Sequence, residues 1–323
     1  MISQILQTTS FESVLLSKSA GSWVWDVDGK KYLDCVSGTW TCNLGHNHPR
    51  VNQAIKEQLE KMTHRGMRFL TPVTLEAAEC VLKFMPNEFD KITFLNSGSE
   101  AMEFALAFAR KATGRTKVLS LKDSYLGAFG LAREASYTSK ASALKIDYPR
   151  CNESGNCHCL ESYRELIEHV KEQYSSELAC FALESIMVSG GIHKPCTNFI
   201  RELCKVLQEA GVLVVANEVT CGLGRTGFRV GYQQHSISPD IVALGKALGN
   251  GYPVSAVMTK SSLEAKVSTV ERYYAQSHQL DPLGSAAAKT VIEVFKEEKI
   301  IEKSQKKIGL LIDFFANLFY PFI

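Results

Sequence analysis

Short apolar segments alternate with longer segments of helical periodicity along most of this chain, and this alternation constrains its fold more than any other feature. Helical spacing occurs at residues 100–112 and 197–210. Nearly continuous apolar strands separated by helices are typical of a mostly parallel sheet covered on both faces. The sequence therefore predicts an α/β fold with helices on both faces of the sheet. The apolar segments are Ile92–Leu95, Val118–Leu121, Phe181–Glu184, Val212–Ala216 and Ile241–Leu244.

The two ends of the chain follow different patterns. Residues 22–36 alternate apolar and polar side chains about the turn dipeptide Asp28-Gly29 and predict a hairpin. Apolar residues at helical spacing in 50–62 predict an amphipathic helix, and residues 285–318 predict a long helical region. An aromatic cluster at the end of the sequence is expected to be exposed unless something covers it. Its members are Phe314, Phe315, Phe319, Tyr320 and Phe322.

Composition bounds the functions that the chain can have. Its 323 residues, at roughly 150 per domain, suggest two domains or one large domain with a smaller piece. Because 36 Lys and Arg face 34 Asp and Glu, the chain has no electrostatic footprint for nucleic acid or an anionic membrane. The longest apolar runs, at 104–109 and 178–183, are too short to span a bilayer. The sequence begins without the pattern of a signal peptide, so we expect a cytoplasmic protein.

Ten cysteines lie mostly in apolar surroundings without regular spacing, so buried reduced thiols are expected. The exception is a cluster of Cys151, Cys157, His158 and Cys159. These ligand types suit zinc, but their spacing matches no familiar zinc module, and the turn-rich loop around them needs no metal. We therefore predict no metal site, with zinc at this cluster as the alternative.

Ligands of parallel α/β sheets bind beyond the carboxyl ends of the strands, so the residues after each strand are the most informative about function. Ser97-Gly98-Ser99-Glu100 follows the first predicted strand and opens a helix. Ser97 and Glu100 have the spacing of a capping box, and Gly98 lets a ligand approach the free N–H groups of the helix start. The segment predicts an anion site, although a plain capped helix would also explain Ser97 and Glu100.

Two further strand ends carry chemically informative residues. Lys246 follows Ile241–Leu244 and has glycines close by on both sides. A desolvated lysine has a lowered pKa and can form a Schiff base with a carbonyl, whereas the alternative is a lysine that snorkels at the sheet edge. Asn217 follows Val212–Ala216, where a polar side chain can address a ring nitrogen in the cleft or simply begin a turn.

In this order, the three segments resemble the class III pyridoxal-phosphate aminotransferases of the ornithine, acetylornithine and 4-aminobutyrate type. The resemblance covers nearly the whole chain and is most specific at Asp240–Pro253, with the sequence DIVALGKALGNGYP. It implies fold type I, pyridoxal 5′-phosphate as cofactor, and active sites at the interface of a homodimer. The other matching stretches are Trp23–Asp34, Leu44–Pro49, Asn96–Ala101, Asn217–Gly227 and, more weakly, Ser277–Leu283.

The resemblance also implies a role for each matching residue. Lys246 corresponds to the catalytic lysine that holds the cofactor as an internal aldimine and then moves the substrate proton. Gly98 and Ser99 correspond to the phosphate cradle, and Ser277 to the hydroxyl that reaches the phosphate from the neighbouring subunit. Tyr125 matches the aromatic residue stacked on the pyridine ring, with core packing as its alternative. The remaining cofactor-binding residues are Glu184, a carboxylate near the cofactor, Asn217, and Val219 on the other face of the ring.

Two residues depart from the family pattern within the site. Asn217 stands where the family has an aspartate that keeps the pyridine nitrogen protonated, and an asparagine can hydrogen-bond that nitrogen without supplying a charge. We therefore expect the cofactor to bind, but its ring to be a weaker electron sink than in relatives. Ser189 stands where the ornithine and 4-aminobutyrate type has a second glutamate, which helps a site accept both an ω-amine and an α-carboxylate. The amine donor can differ accordingly.

A third departure concerns the C-terminal subdomain, which in relatives supplies an arginine for the substrate carboxylate and which this sequence lacks. A truncated gene product, a fragment, or burial at an oligomer interface would each account for it. The predicted domains are an N-terminal segment of hairpin and helix (1–60), a large cofactor-binding domain (61–284), and a linking helix with the start of a truncated C-terminal subdomain (285–323).

The predicted function is a ping-pong transfer of an amino group from an amine or amino acid, ω-amines included, to a 2-oxo acid. Asn217 and Ser189 leave a second hypothesis open, a racemase, aminomutase or phospholyase on the same scaffold. The missing subdomain leaves a third, a truncated non-catalytic homologue, against which Lys246 and the phosphate cradle argue. We expect small-molecule substrates and a second copy of the chain as partners, with no nucleic acid and no membrane.

Overall fold

A seven-stranded sheet organises the chain in the computed structural model, which describes residues 4–6, 8–66, 68–86, 89–140, 143–150, 159–267 and 274–319. In order across the sheet the strands are β4 (Lys91–Leu95), β10 (Ser255–Thr259), β9 (Ile241–Leu244), β8 (Leu213–Asn217), β7 (Leu178–Glu184), β5 (Lys117–Leu121) and β6 (Leu144–Ile146). The five strands from β9 to β6 pair in parallel, and β10 pairs antiparallel with both of its neighbours. The prediction of a mostly parallel sheet is confirmed.

Helices cover both faces of this sheet, as alternate residues of β9 show. Ile241 and Ala243 share a buried cluster with the helix at Gly98–Thr113, whereas Val242 and Leu244 share one with the helix at Pro282–Glu297. The helical segments are α1 (Ser37–Trp40), α2 (Pro49–Lys61), α3 (Pro72–Phe84), α4 (Gly98–Thr113), α5 (Gly130–Glu134), α6 (Cys159–Tyr174), α7 (Thr197–Glu209), α8 (Ser261–Glu264), α9 (Pro282–Glu297) and α10 (Ile300–Phe319).

A separate antiparallel sheet lies near the N-terminus. Its strands are β1 (Leu16–Ala20), β2 (Trp23–Asp26) and β3 (Lys31–Leu33), and β2 and β3 form the hairpin about Asp28-Gly29. The Asp26 carboxylate accepts the backbone N–H groups of residues 28 and 30 and the Tyr32 hydroxyl, which fixes the turn. Gly29 has φ +81°, a conformation that glycine adopts without strain.

The helical region near the C-terminus is divided in two. The sequence predicts one long segment over 285–318, but α9 and α10 are separated at Lys299, which has φ +52°. The first half of α10 packs on the Gly222–Gly227 loop, where Gln305 Nε2 donates to the Gly227 carbonyl at 2.8 Å. Its second half is exposed, Phe314 and Phe315 included. The Phe319 side chain, Tyr320 and Phe322 lie outside the described residues.

Across the described parts of the chain, we find no helix with the length and apolar character needed to cross a bilayer. The domain boundaries after residues 60 and 284 stay a prediction. Val51 of α2 and Val291 of α9 share one buried cluster with β8, β9 and β10, so the sheet is the common support of the N-terminal and C-terminal helices.

Candidate active site

A cavity of about 200 Å³ lies at the carboxyl ends of β8 and β9. Six of the residues singled out from the sequence line it together, namely Gly98, Ser99, Tyr125, Asn217, Val219 and Lys246. Its other lining residues are Ser97, Leu126, Gly127 and Thr220. The cavity has the location that parallel α/β sheets use for ligands.

Lys246 presents its amine to this cavity from the end of β9. The residue starts a short 3₁₀ turn, Lys246–Leu248, and has φ +41°, an unusual value for a non-glycine residue. Its Nζ donates to Thr220 Oγ1 at 2.5 Å and lies 5.1 Å from the centre of the Trp40 ring. Burial lowers the pKa of the amine, and the carboxylate of Glu184 opposes this shift. The amine is therefore more often neutral and nucleophilic than a surface lysine.

The start of α4 forms the opposite wall of the cavity. Ser97 Oγ accepts the Glu100 N–H at 3.2 Å as the helix cap, while Glu100 Oε2 accepts the Asn96 N–H at 2.8 Å. The expected capping box thus forms with one difference: the Glu100 carboxylate accepts the N–H of Asn96, one residue before the cap, and not that of Ser97. The helix start presents N–H groups and the positive end of the helix dipole, which favours an anion there.

Gly98 is required sterically at this helix start. A Cβ at position 98 would lie 2.5 Å from Val219 Cγ1, well inside van der Waals contact. Ser99 Oγ meanwhile accepts the Ala128 N–H at 3.0 Å, so the loop after Tyr125 closes over the same end of the helix. The start of α4 is therefore in direct contact with Val219 and with the loop after Tyr125.

Glu184 and Asn217 end neighbouring strands and pair in register. Glu184 Oε2 accepts the Tyr125 N–H at 2.6 Å, and Asn217 Nδ2 donates to the Tyr125 carbonyl at 3.1 Å. Asn217 Oδ1 accepts the Val219 N–H at 3.2 Å. Two side chains thus fix the backbone of Tyr125, whose own side chain lines the cavity.

Burial raises the pKa of Glu184 to about 8, although the Tyr125 N–H and Lys246 act in the opposite direction. A second carboxyl group, that of Glu218, is fully enclosed nearby and has its pKa raised to about 7 by burial. It accepts the N–H groups of Gly231 and Tyr232 and the Ser185 hydroxyl, which gives it a structural role. Asn217 adds no charge, so Glu184 is the carboxyl group that acts on Lys246 most strongly.

Ser277 is placed apart from the other predicted residues. Its side chain is exposed, and it is not among the described residues that line the cavity of its own chain. The metal alternative at Cys151, Cys157 and His158 falls outside the described residues, as does the side chain of Cys159. All seven described cysteines are free thiols, and all but Cys35 and Cys80 are buried.

Two residues beside the Lys246 amine were not identified from the sequence. Thr220 is the hydrogen-bond partner of Lys246, and its position in the Asn217–Gly227 loop could have drawn attention to it. Trp40 lies in α1, a left-handed turn in which residues 37 to 40 all have φ near +60°. The Asp34 carboxylate holds this turn by accepting three of its backbone N–H groups, at positions 36, 37 and 38. No local pattern predicts this arrangement.

These groups fit one kind of cofactor. A lysine amine with a lowered pKa suits an aldehyde, an open helix start suits a phosphate, and Tyr125 and Val219 give the cavity apolar lining that suits a flat ring. Fold and site together define a pyridoxal-phosphate enzyme with its lysine at the end of a central strand.

Comparison with known proteins places the chain in a family. It belongs to the class-III aminotransferases, whose family model matches residues 7–318. It is 31% identical over 306 residues to an acetylornithine aminotransferase of Methanosarcina mazei, covering 94% of this chain and 73% of that protein. It is 32% identical to a 5-aminovalerate aminotransferase of Pseudomonas aeruginosa, covering 90% and 71% of the two chains.

Solved structures agree with this assignment. An (S)-enantioselective omega-transaminase from Thermomicrobium roseum superposes with a TM-score of 0.84 at 26% identity, over 92% of this chain and 73% of that one. An acetylornithine aminotransferase from Elizabethkingia anophelis gives 0.81 at 26% identity, over 99% and 77%. The resemblance seen in the sequence is confirmed: the chain is a pyridoxal-phosphate-dependent aminotransferase, acting on an amino compound and a 2-oxo acid.

Proposed function

We propose that this enzyme takes its amino group from an amine or amino acid whose reacting nitrogen is an ω-amine, and passes it to a 2-oxo acid. The observation that carries the proposal is the position of Lys246 Nζ. The amine lies at the wall of the cavity, has a lowered pKa, and faces the plane of Trp40. An aromatic plane beside the reactive amine suits a donor with an apolar carbon chain.

Each residue around the cavity has a task toward the cofactor in this proposal. The N–H groups at Gly98 and Ser99 bind its phosphate, Tyr125 and Val219 hold the ring between them, and Asn217 faces the ring nitrogen. Pyridoxal phosphate, when bound, supplies a carbonyl carbon for amine capture and a ring that withdraws electrons. Lys246 would hold the cofactor through that carbonyl carbon, and the donor's amine would displace it there. The freed Lys246 amine would then be placed to move a proton at the donor's carbon.

The nature of the donor is supported by two further features. Ser189, an exposed residue, stands where the ornithine and 4-aminobutyrate type has a glutamate, so the arrangement for a donor with both an ω-amine and an α-carboxylate is incomplete. Relatives named as a 5-aminovalerate aminotransferase and an omega-transaminase are similar to this chain along most of its length. Both names refer to amines remote from a carboxylate.

The proposed enzyme works as a homodimer with Ser277 reaching the phosphate of the other subunit. Phe69 and Leu70 are exposed large apolar residues, and Arg65 ties their segment to the Gln279 carbonyl, beside Ser277. Phe129 is likewise exposed, next to the loop that closes on Ser99. A second copy of the chain would cover both apolar groups and bring Ser277 to the phosphate site.

A cytoplasmic location is part of the proposal. The described cysteines are free thiols, several of them in the core, and they stay reduced in a compartment kept reducing by thiol buffers.

The decisive experiment adds an amino donor alone to the cofactor-loaded protein. Transamination converts the bound cofactor to its pyridoxamine form, so the visible absorbance is lost and one equivalent of carbonyl product appears. Donors with an ω-amine, such as 5-aminovalerate, should react faster than α-amino acids of the same length. Faster reaction of the α-amino acids would contradict the proposed donor class.

The same spectra separate the other hypotheses. A racemase, aminomutase or phospholyase would release product while the visible absorbance persists, and Asn217 is the residue that favours such a reaction. A non-catalytic homologue would purify without a chromophore that borohydride can reduce.

A further inference from the structure

Two histidines and an aspartate meet outside the lining of the active-site cavity, and both histidines are exposed. His64 Nδ1 lies 2.8 Å from Asp281 Oδ1, and His278 Nδ1 contacts the other oxygen, Oδ2, of the same carboxylate. The imidazole rings are 4.9 Å apart between centres. One ligand atom from each of the three side chains can be chosen so that all lie within 4.8 Å of one another.

The two segments that carry these side chains are held together rigidly. Arg65, next to His64, is buried and donates to the carbonyls of Gln279 at 2.7 Å and Leu280 at 3.1 Å. Its Nη1 also donates to the Gly66 carbonyl at 2.7 Å. The guanidinium group therefore joins positions 65–66 and 279–280, the segments next to His64 and His278, by hydrogen bonds.

Asp281 gives a second, independent indication. It is the residue before the first turn of α9, where an aspartate normally accepts an N–H of its own helix, yet its side chain makes no such bond. Both of its oxygens are turned to the imidazoles instead. A cavity of about 100 Å³ adjoins His278 and Asp281, which leaves space for water at open coordination positions.

We propose that His64, His278 and Asp281 form a binding site for one divalent transition-metal ion, with zinc as the expected occupant. Two imidazole nitrogens and one carboxylate oxygen are ligands that zinc prefers, whereas magnesium and calcium prefer oxygen alone. Water completes the coordination. The site does not depend on the aminotransferase reaction proposed above.

The proton balance of binding follows from the hydrogen bonds. In the metal-free site each Nδ1 that contacts the Asp281 carboxylate donates a hydrogen bond to it. Binding needs the lone pair of Nδ1, so the proton has to leave that nitrogen, either to Nε2 of the same ring or to solvent. The ion then replaces two hydrogen bonds with three coordinate bonds and joins the segment around His64 to the segment that contains Ser277.

The test uses the full, cofactor-loaded chain after treatment with chelator. We expect it to bind one Zn²⁺ in calorimetry, and to give the visible bands of nitrogen- and oxygen-ligated Co²⁺ without a sulfur-to-metal charge-transfer band. Zn²⁺ should raise the melting temperature. His278→Phe keeps a ring against His64 but removes a ligand, and Asp281→Asn keeps the size of the side chain; both should lose the Co²⁺ bands and the thermal shift.

Two matched controls make the assignment specific. His48→Gln changes a histidine that lies 3.7 Å from Glu298 elsewhere on the surface, and it should leave binding unchanged. Replacing Cys151, Cys157 and Cys159 by serine removes the thiols of the cluster seen in the sequence, and binding should persist. The proposal is wrong if the wild-type chain binds no ion, or if His278→Phe and Asp281→Asn bind the ion as the wild type does. It is also wrong if binding is lost in the triple serine variant and kept in His278→Phe and Asp281→Asn.

Discussion

In the proposed cofactor site, Asn217 and Glu184 would determine how much negative charge faces the ring. Asn217 is neutral and has both ends of its amide bonded to backbone groups, at Tyr125 and Val219. Glu184 is buried and its carboxyl group holds a proton over much of the neutral range, because burial raises its pKa to about 8. Little negative charge would therefore face the ring at neutral pH, which leads to two predictions about single residues.

The first prediction concerns the ring nitrogen. With Asn217 opposite it, the nitrogen should be unprotonated at neutral pH, and Asn217→Asp should raise its pKa by about 2–3 units, the value of a contact ion pair at an effective dielectric near 20. Nitrogen NMR of labelled cofactor across a pH titration measures the pKa of the ring nitrogen in the wild type and in Asn217→Asp. A wild-type nitrogen that stays protonated well above neutral pH would contradict this reading of Asn217.

The second prediction concerns Glu184 and the stability of the cofactor-free protein. Because the pKa of Glu184 is raised on folding, its contribution to stability is complete below about pH 4.5 and is lost as the pH rises through about 8. Glu184→Gln stays neutral and can still accept the Tyr125 N–H. It should therefore be more stable than the wild type at pH 9 by on the order of 4 kcal/mol, and at pH 5 by less than about 1 kcal/mol.

Denaturant unfolding at several pH values measures this difference. Glu218, with its pKa near 7, titrates in the same range and is present in both proteins, so the difference between them reports Glu184 together with its repulsion by Glu218. Parallel stability curves for the two proteins between pH 5 and 9 would show that Glu184 does not titrate there.

At the scale of elements, the cavity depends on the approach of α4 to the loop after β8. Gly98 and Val219 are the contact between them. Gly98→Ala should push the two apart and weaken binding of pyridoxal phosphate by about 10- to 100-fold, since overpacking typically costs about 1–3 kcal/mol. The double variant Gly98→Ala, Val219→Ala removes the methyl groups that the new Cβ would meet, and should regain much of the affinity.

Titration of the cofactor-free protein with pyridoxal phosphate measures this affinity, with Val219→Ala alone as the control. Equal binding by the wild type and Gly98→Ala would mean that the helix start is not held against Val219.

How far the elements could be predicted depended on their surroundings. β8 and β9 are buried on both faces, so their apolar sequences predict them, and the polar residues at their ends predict the cavity. The antiparallel direction of β10 has no local signal, because strand direction is set by partners distant in sequence. The turn α1 has no recognisable sequence signal either: Ser37, Thr39 and Trp40 have positive φ, and the Asp34 carboxylate accepts the N–H groups at positions 37 and 38.

The site shows the same division. Lys246 and Gly98 could be predicted from their positions after a strand and from the family resemblance. Trp40 could not, because it lies beside the amine through a turn that no sequence pattern predicts. The break at Lys299 is a further case, since neither proline nor glycine marks it. Local sequence patterns therefore predict the elements whose burial fixes their composition, whereas tertiary contacts determine strand direction, unusual turns and helix breaks.

At the scale of the whole molecule, the proposed homodimer builds each complete site from two copies of the chain. Lys246 and Ser277 would then act from different subunits, which can be tested by mixing. Lys246→Ala lacks the amine, and Ser277→Asp puts a negative charge against the phosphate, so each homodimer should be inactive. Mixed dimers contain one intact site, and refolding the two variants together should restore roughly a quarter of the wild-type activity.

Transaminase assays on the mixture, with the double variant Lys246→Ala, Ser277→Asp as the control, measure the recovery. Analytical ultracentrifugation of the wild type reports the dimer independently. A monomeric active enzyme, or a mixture with no recovered activity, would place Ser277 outside the site of the partner subunit.

The measurement that tests the account most directly is reduction of the purified protein with borohydride, followed by peptide mapping. We expect the phosphopyridoxyl group on the peptide that contains Lys246, and no covalent label on the Lys246→Ala variant. A label on another lysine, or a variant that is trapped as completely as the wild type, would contradict the central claim that this one amine holds the cofactor.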